Sequence, residues 1–185
     1  MVEYLFDFEG WFRVVLLCIK GHNMIILGID PGIGIVGYGI IEKTNDIKVI
    51  DYGVIETPKE ESIATRLAMV YEGISALIDR YKPDEVALEE LFFFKNQKTI
   101  IPVAQARGVI VLACIQKMGR LFEYTPLQIK QALTGHGRAE KKQIQFMVKT
   151  ILGLDKIPRP DDAADALAVA ITHSQTNNKI SNNQI

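Results

Sequence analysis

MIILGIDPGIGIVGYGIIEKTNDIKVIDYGVIE, residues 24 to 56, consists of three apolar runs separated by two short breaks. The runs, at about 24–30, 35–43 and 47–56, are rich in Ile, Val and Tyr, the residues that suit a pleated and half-buried surface. The breaks are Pro31-Gly32-Ile33-Gly34 and Thr44-Asn45-Asp46. Both are turn-forming and far too short to hold a crossover helix, so the three strands follow one another in hairpin fashion, antiparallel.

Downstream the period changes. Ile63, Leu67, Val70, Ile74, Leu77, Ile78 and Tyr81 recur every three to four residues, which predicts a helix over about 61–81, ended by Pro83. A strand at 84–89, a helix near 98–118, a strand at 120–125 and a helix opened by Pro126 follow, and two further helices at about 139–152 and 160–176 complete the chain. Three short-connected strands, then α, β, α, β and helices, give an α/β fold: a mixed sheet with an antiparallel start and a parallel continuation, flanked by helices. That is the order of the ribonuclease H-like fold.

With 185 residues, 48% of them hydrophobic, the chain fits one domain with a full core. Its expected extent is 24–174. Residues 1–23 are read as an N-terminal extension from a mis-assigned start, because Met24 directly precedes the first strong strand. Val14 to Ile19 is too short, and Glu3, Asp7 and Glu9 too acidic, for an export signal. The Asn-, Gln- and Ser-rich tail, 175–185, is expected to be disordered.

A formal net charge of −1 excludes a globally basic protein, so contact with nucleic acid requires a local patch. From Lys117 to Arg159 nine Lys and Arg face only Glu123, Glu140 and Asp155. Charge alone leaves a phosphate-binding face and an ordinary solvated surface equally open. Cys18 and Cys114 match no zinc or redox spacing, which fits a reducing cytoplasm. No uninterrupted apolar stretch approaches the ~18 residues of a membrane span. There is no GxSxG elbow and no GxxxxGK[ST] loop.

Four acids stand in awkward places. Asp30 closes the first apolar run and Glu89 closes Val86-Ala87-Leu88, so both sit at strand ends. Asp162 and Asp165 open the apolar helix at a spacing that puts them on one helical face. Gathering like charges out of water is unfavourable unless a cation compensates them, and hard oxygen ligands suit Mg²⁺ or Mn²⁺. Two such ions about 3.5–4 Å apart can activate a water and stabilise the leaving oxygen of a phosphodiester. Each acid also has a plainer reading. Asp30 suits a turn acid before Pro-Gly, Asp162 suits a helix cap, and Glu90 is a surface or supporting acid on the face opposite Glu89.

Ile29-Asp30-Pro31-Gly32 with Gly37-Tyr38-Gly39, Leu88-Glu89-Glu90 leading to Phe92 and Lys95-Asn96, Gln105-Ala106-Arg107-Gly108, Tyr124 to Gln131, Ala139-Glu140-Lys141, and Asp162-Ala163-Ala164-Asp165-Ala166-Leu167-Ala168 with Thr172-His173 occur in that order. Together they closely resemble the RuvC family of bacterial Holliday-junction resolvases, over about Met24 to His173. The resemblance implies that Asp30, Glu89, Asp162 and Asp165 are metal-binding catalytic acids serving Mg²⁺ or Mn²⁺, two ions per subunit. It implies that Phe92 stacks on or wedges against junction bases, and that Lys130 and Lys141 stand near the scissile phosphate. Lys95, Asn96, Arg138 and Lys142 are the further DNA contacts expected beside them. It also implies a homodimer that nicks two strands of like polarity in four-way junction DNA, leaving 5′-phosphate ends, and works with the branch-migration proteins RuvA and RuvB.

Other enzymes of the fold, ribonuclease H or a YqgF-type nuclease, lack this combination of Phe92 loop, basic 130–142 stretch and closing DxxD helix. A sugar-kinase-like ATPase needs a second similar lobe that 185 residues do not hold. A non-catalytic junction-binding module would keep four mutually repelling acids without use. His173 lies eight residues beyond Asp165, about two helical turns, too far to share its metal.

Overall fold

A computed structural model describes residues 23–91 and 97–176. The expected N-terminal extension apart from its last residue, Phe92, Lys95, Asn96, Cys18 and most of the expected C-terminal tail lie outside the described residues.

The hairpin reading of the opening stretch holds residue for residue. β1 (Met24–Asp30), β2 (Ile35–Lys43) and β3 (Ile47–Glu56) pair antiparallel in sequence order. α1 (Ile63–Tyr81) then carries the chain across to β4 (Glu85–Glu89), which pairs parallel with β1; α2 (Gln97–Met118) leads to β5 (Phe122–Tyr124), parallel to β4. The sheet order is β3-β2-β1-β4-β5, and α3 (Pro126–Thr134), α4 (Lys141–Ile151) and α5 (Asp161–Gln175) complete the chain. This is the expected ribonuclease H-like mixed sheet.

Local chemistry sets the ends. α1 starts two residues later than its apolar period suggests because the Ser62 hydroxyl accepts the Thr65 amide at 3.1 Å and acts as the cap. β5 ends one residue earlier than expected because Thr125 leaves the ladder to cap α3, its hydroxyl accepting Gln128 N while its own amide donates to the Gln128 side chain. Glu140 N likewise donates to Gln143 Oε1 at 2.8 Å and fixes the start of α4.

Side chains alternate across the strands and feed two cores. Leu27, Ile29, Ile40, Val86 and Leu88 pack against α1 and α2, whereas Ile26, Ile41, Ala87 and Tyr124 pack against α3, α4 and α5. α5 lies directly on β1 and β2. A Cβ on Gly28 would lie 2.6 Å from Ala170 N, and one on Gly37 would fall far inside 3.0 Å of the Asp162 carbonyl oxygen. Only glycine at these positions lets the helix backbone touch the sheet.

α2 is long and apolar enough, by length and composition, to cross a membrane. In this fold it packs against α1, and its Arg107 is ion-paired with Glu123. Its apolar surplus lies on the outward face, where Ile101 is 68% exposed and Leu112 50%.

Candidate active site

β1 and β4 are parallel neighbours, with Ile29 opposite Leu88, so Asp30 and Glu89 leave adjacent strands at the same end of the sheet. The close seat of α5 delivers its first turn to the same place, since Gly37, the residue that touches Asp162, is the β2 partner of Asp30. Strand ends and a helix start thus bring together four acids that are 135 positions apart at the extremes.

Their electrostatics show the crowding. Burial pushes the Asp30 carboxyl well above the usual carboxylate range, and Glu89, Asp165 and Asp162 push it further, against a smaller pull from Lys141. Glu89 rises to about 7, chiefly through burial and then Asp165, with Lys141, Lys130 and a side-chain hydrogen bond to Asp30 opposing. Asp165 is also raised, by burial first, while Lys141 opposes. Like charges sharing a site resist ionising together.

Asp162 does not cap α5. Pro160 holds that position, so Asp162 stands within the first turn and the plainer cap reading is set aside. Asp161, beside it, pairs with Arg159 and also lies within reach of Lys141.

Lys141, the first residue of α4, places Nζ 2.8 Å from Asp165 Oδ2 and 3.7 Å from Asp161 Oδ2. Burial works against its charge, but Asp165 outweighs that and holds its pKa up. Lys130, on α3, also lowers the pKa of Glu89 through its charge. Both expected active-site lysines thus act electrostatically on the acids, Lys141 in direct contact with Asp165. Arg138 and Lys142 are placed differently. They line a neighbouring cleft of about 660 Å³ between α3 and α4, with His136, Leu133, Phe146 and Met147.

Among the described residues no three His, Cys, Asp or Glu side chains stand already arranged to hold a metal ion. The donor chemistry nevertheless fits one. All four acids offer hard oxygens, and burial and neighbouring carboxylates raise the pKa values of Asp30 and Glu89, a crowding of negative charge that a divalent cation would offset. At present the nearest positive charge to Asp165 is Lys141.

Sequence reading missed a second polar cluster. His173, 1% exposed, contacts Glu85 Oε2 through Nε2 at 2.6 Å and the Tyr124 hydroxyl through Nδ1 at 2.7 Å, with the Phe122 ring 4.6 Å away. It ties the C-terminal part of α5 to β4 and β5. Burial lowers its pKa, with Glu85 opposing. The partners are up to 88 residues apart, and no local pattern announces them.

The RuvC family model, "Crossover junction endodeoxyribonuclease RuvC", matches residues 26–173. The chain is 59% identical to the crossover junction endodeoxyribonuclease RuvC of Clostridioides difficile, across 83% of this chain and 92% of that protein. It is 58% identical to that of Caldicellulosiruptor saccharolyticus, across 81% and 92%. The structure of Thermus thermophilus RuvC in complex with a Holliday junction substrate superposes with a TM-score of 0.76 at 35% identity, covering 82% of this chain and 93% of that one. Yeast mitochondrial Ydc2, a Holliday junction resolvase at 14% identity with a TM-score of 0.61, shares the fold. On the match of the family model and of these relatives over most of its length, the chain belongs to the RuvC family of crossover junction endodeoxyribonucleases.

Proposed function

We propose that the protein resolves four-way DNA junctions by hydrolysing one phosphodiester in each of two strands of like polarity, with Asp30, Glu89, Asp162 and Asp165 as the metal-holding acids. The observation that carries this reading is the convergence of Asp30, Glu89 and Asp165 at one end of the sheet, with Lys141 on Asp165 and Lys130 acting on Glu89. RuvC enzymes are metal-dependent nucleases. The finer reading for this chain is Mg²⁺, with Mn²⁺ as a substitute, and two ions per subunit.

When bound, such ions would activate the attacking water and stabilise the leaving 3′ oxygen. The chain's own part is positional and electrostatic. Asp30 and Glu89, fixed on parallel strands, and Asp165, fixed by a helix seated on the sheet, offer oxygens without a reorganisation cost at the moment of reaction. Lys141, whose ammonium lies 2.8 Å from Asp165 Oδ2, would stand beside the phosphate and offset the negative charge that grows there in the transition state. Lys130 supports the same charge from α3. Arg138 and Lys142, exposed around the adjacent cleft, serve the flanking backbone, and Phe92, Lys95 and Asn96 serve the bases and strand at the crossover.

Symmetric nicking needs two sites, and the outward face of α2, with Ile101, Leu112 and Ile115 exposed, supports a second copy as the partner. RuvA and RuvB as branch-migration partners, and a cytoplasmic location, belong to the same proposed reading. Incubation with a synthetic four-way junction, a linear duplex and an RNA–DNA hybrid in Mg²⁺ tests the reading. Paired nicks in the junction alone support it, and preferential cleavage of the hybrid points to a ribonuclease H activity instead.

A further inference from the structure

We infer that Arg66 is a backbone-phosphate site of the DNA strand that passes over the turn following Asp30, an assignment that rests on the endonuclease reading above. Thr57, 5% exposed, directly follows β3, and the register Ile35 opposite Glu56 places it at the end of the sheet where Asp30 emerges. Its amide donates to Gly34 O at 3.0 Å and its hydroxyl donates to Ile33 O, so it holds the turn between β1 and β2. The remaining lone pair of that hydroxyl accepts Arg66 Nε at 2.9 Å. With Nε held by Thr57, no hydrogen bond within the described residues occupies the two terminal nitrogens. Nη2 lies 3.4 Å from where a Gly34 Cβ would stand, and nothing else comes within 4 Å of that point. The surface over Gly34 is therefore bare backbone with a guanidinium beside it.

That guanidinium lacks a carboxylate. Arg107, Arg120 and Arg159 are ion-paired with Glu123, Glu85 and Asp161. Among the described residues none of the ion pairs involves Arg66, although Glu60 and Glu61 stand just before its helix. It also sits in the first turn of the 19-residue α1, where the helix dipole disfavours a cation and no acid offsets it. A planar fork of N–H donors, half-buried, pinned through Nε and short of an anion, matches a phosphate diester. β3 lies two strands from β1, about 10 Å at ordinary strand spacing. A chain rising about 3.4 Å per nucleotide covers that in roughly three phosphates. Arg66 thus grips the strand about three nucleotides from the cleaved bond and acts as a positioning residue, touching no reacting atom.

The test is junction binding in Ca²⁺ by the parent, R66Q and R66K, between about 50 and 200 mM salt. Gln keeps a donor for Thr57 without the charge, and Lys keeps the charge without the fork. R66Q is expected to bind about tenfold more weakly and to lose about 0.9 from the slope of log affinity against log salt, while R66K retains the slope. Independently of any folding defect, the parent is tested on junctions bearing one neutral methylphosphonate two, three or four nucleotides from the cleavage point. One of these should weaken binding by the parent and leave R66Q unaffected. A parental slope in R66Q, an R66K slope reduced as far as that of R66Q, or parental indifference to every methylphosphonate overturns the assignment. Failure of the parent itself to bind or nick the unmodified junction overturns the endonuclease reading instead.

Discussion

Lys141 Nζ sits 2.8 Å from Asp165 Oδ2, so the cation expected at the scissile phosphate is held in reserve on one of the acids expected to bind metal. The two residues are 24 apart in sequence and belong to different helices. If the lysine acts on the transition state, Lys141→Ala lowers the single-turnover nicking rate on the order of 10²-fold at saturating protein, as does Lys130→Ala. Lys149→Ala should alter only affinity and its salt dependence. Recovery of the parent rate by all three variants once binding is saturated would reduce Lys130 and Lys141 to diffuse phosphate contacts.

Gly37 sets where Asp162 stands. Adding a Cβ drives it into the Asp162 carbonyl, a backbone group that moves only if α5 lifts from the sheet. Gly37→Ala is expected to cost about 1–3 kcal/mol in denaturant unfolding and to slow nicking by the protein that remains folded. Parent-like stability together with parent-like rate would show that α5 tolerates the shift.

The crowding of the acids predicts a pH dependence. Asp30, Glu89 and Asp165 all have carboxyl pKa values raised in the fold, chiefly by burial, Glu89 to about 7. A group raised in the folded state contributes stability that is complete below its unfolded value and is lost as pH rises through the folded one. His173, lowered by burial, works in the opposite sense as pH falls below its ordinary value of 6.5, so the informative window lies above that. In EDTA the melting temperature should fall from about pH 6.5 to 8.5, and saturating Mg²⁺ should raise it more at the upper end. Thermal melts across that range decide it. A flat metal-free profile with no Mg²⁺ effect would separate the acids from metal binding.

The strands were legible because their signal is local. Apolar runs and turn residues between 24 and 56 need no distant partner, and they match β1, β2 and β3 as observed. The acids were legible because each breaks a local rule, a charge at the end of an apolar strand or in an apolar helix. What stayed hidden depends on packing. Gly28 and Gly37 read as ordinary strand glycines until α5 lies against them. The Glu85–His173–Tyr124 contacts span three elements, and Arg66 looks like any solvated helix arginine until Thr57 pins it. Family resemblance alone pointed to Lys141 near the scissile phosphate, and its pairing with Asp165 was not foreseen, since neither composition nor spacing brings α4 to α5.

The central claim, that these acids hold the working metal, is tested most directly by single-turnover cleavage of a synthetic four-way junction in Mg²⁺ by Asp30→Asn at protein concentrations well above its dissociation constant. The Asn side chain nearly preserves the shape but removes the charge, and phosphate contacts by Lys and Arg supply most of the affinity. Junction binding close to that of the parent with nicking abolished is the predicted result. Paired nicks at near-parent rate by Asp30→Asn would contradict the account.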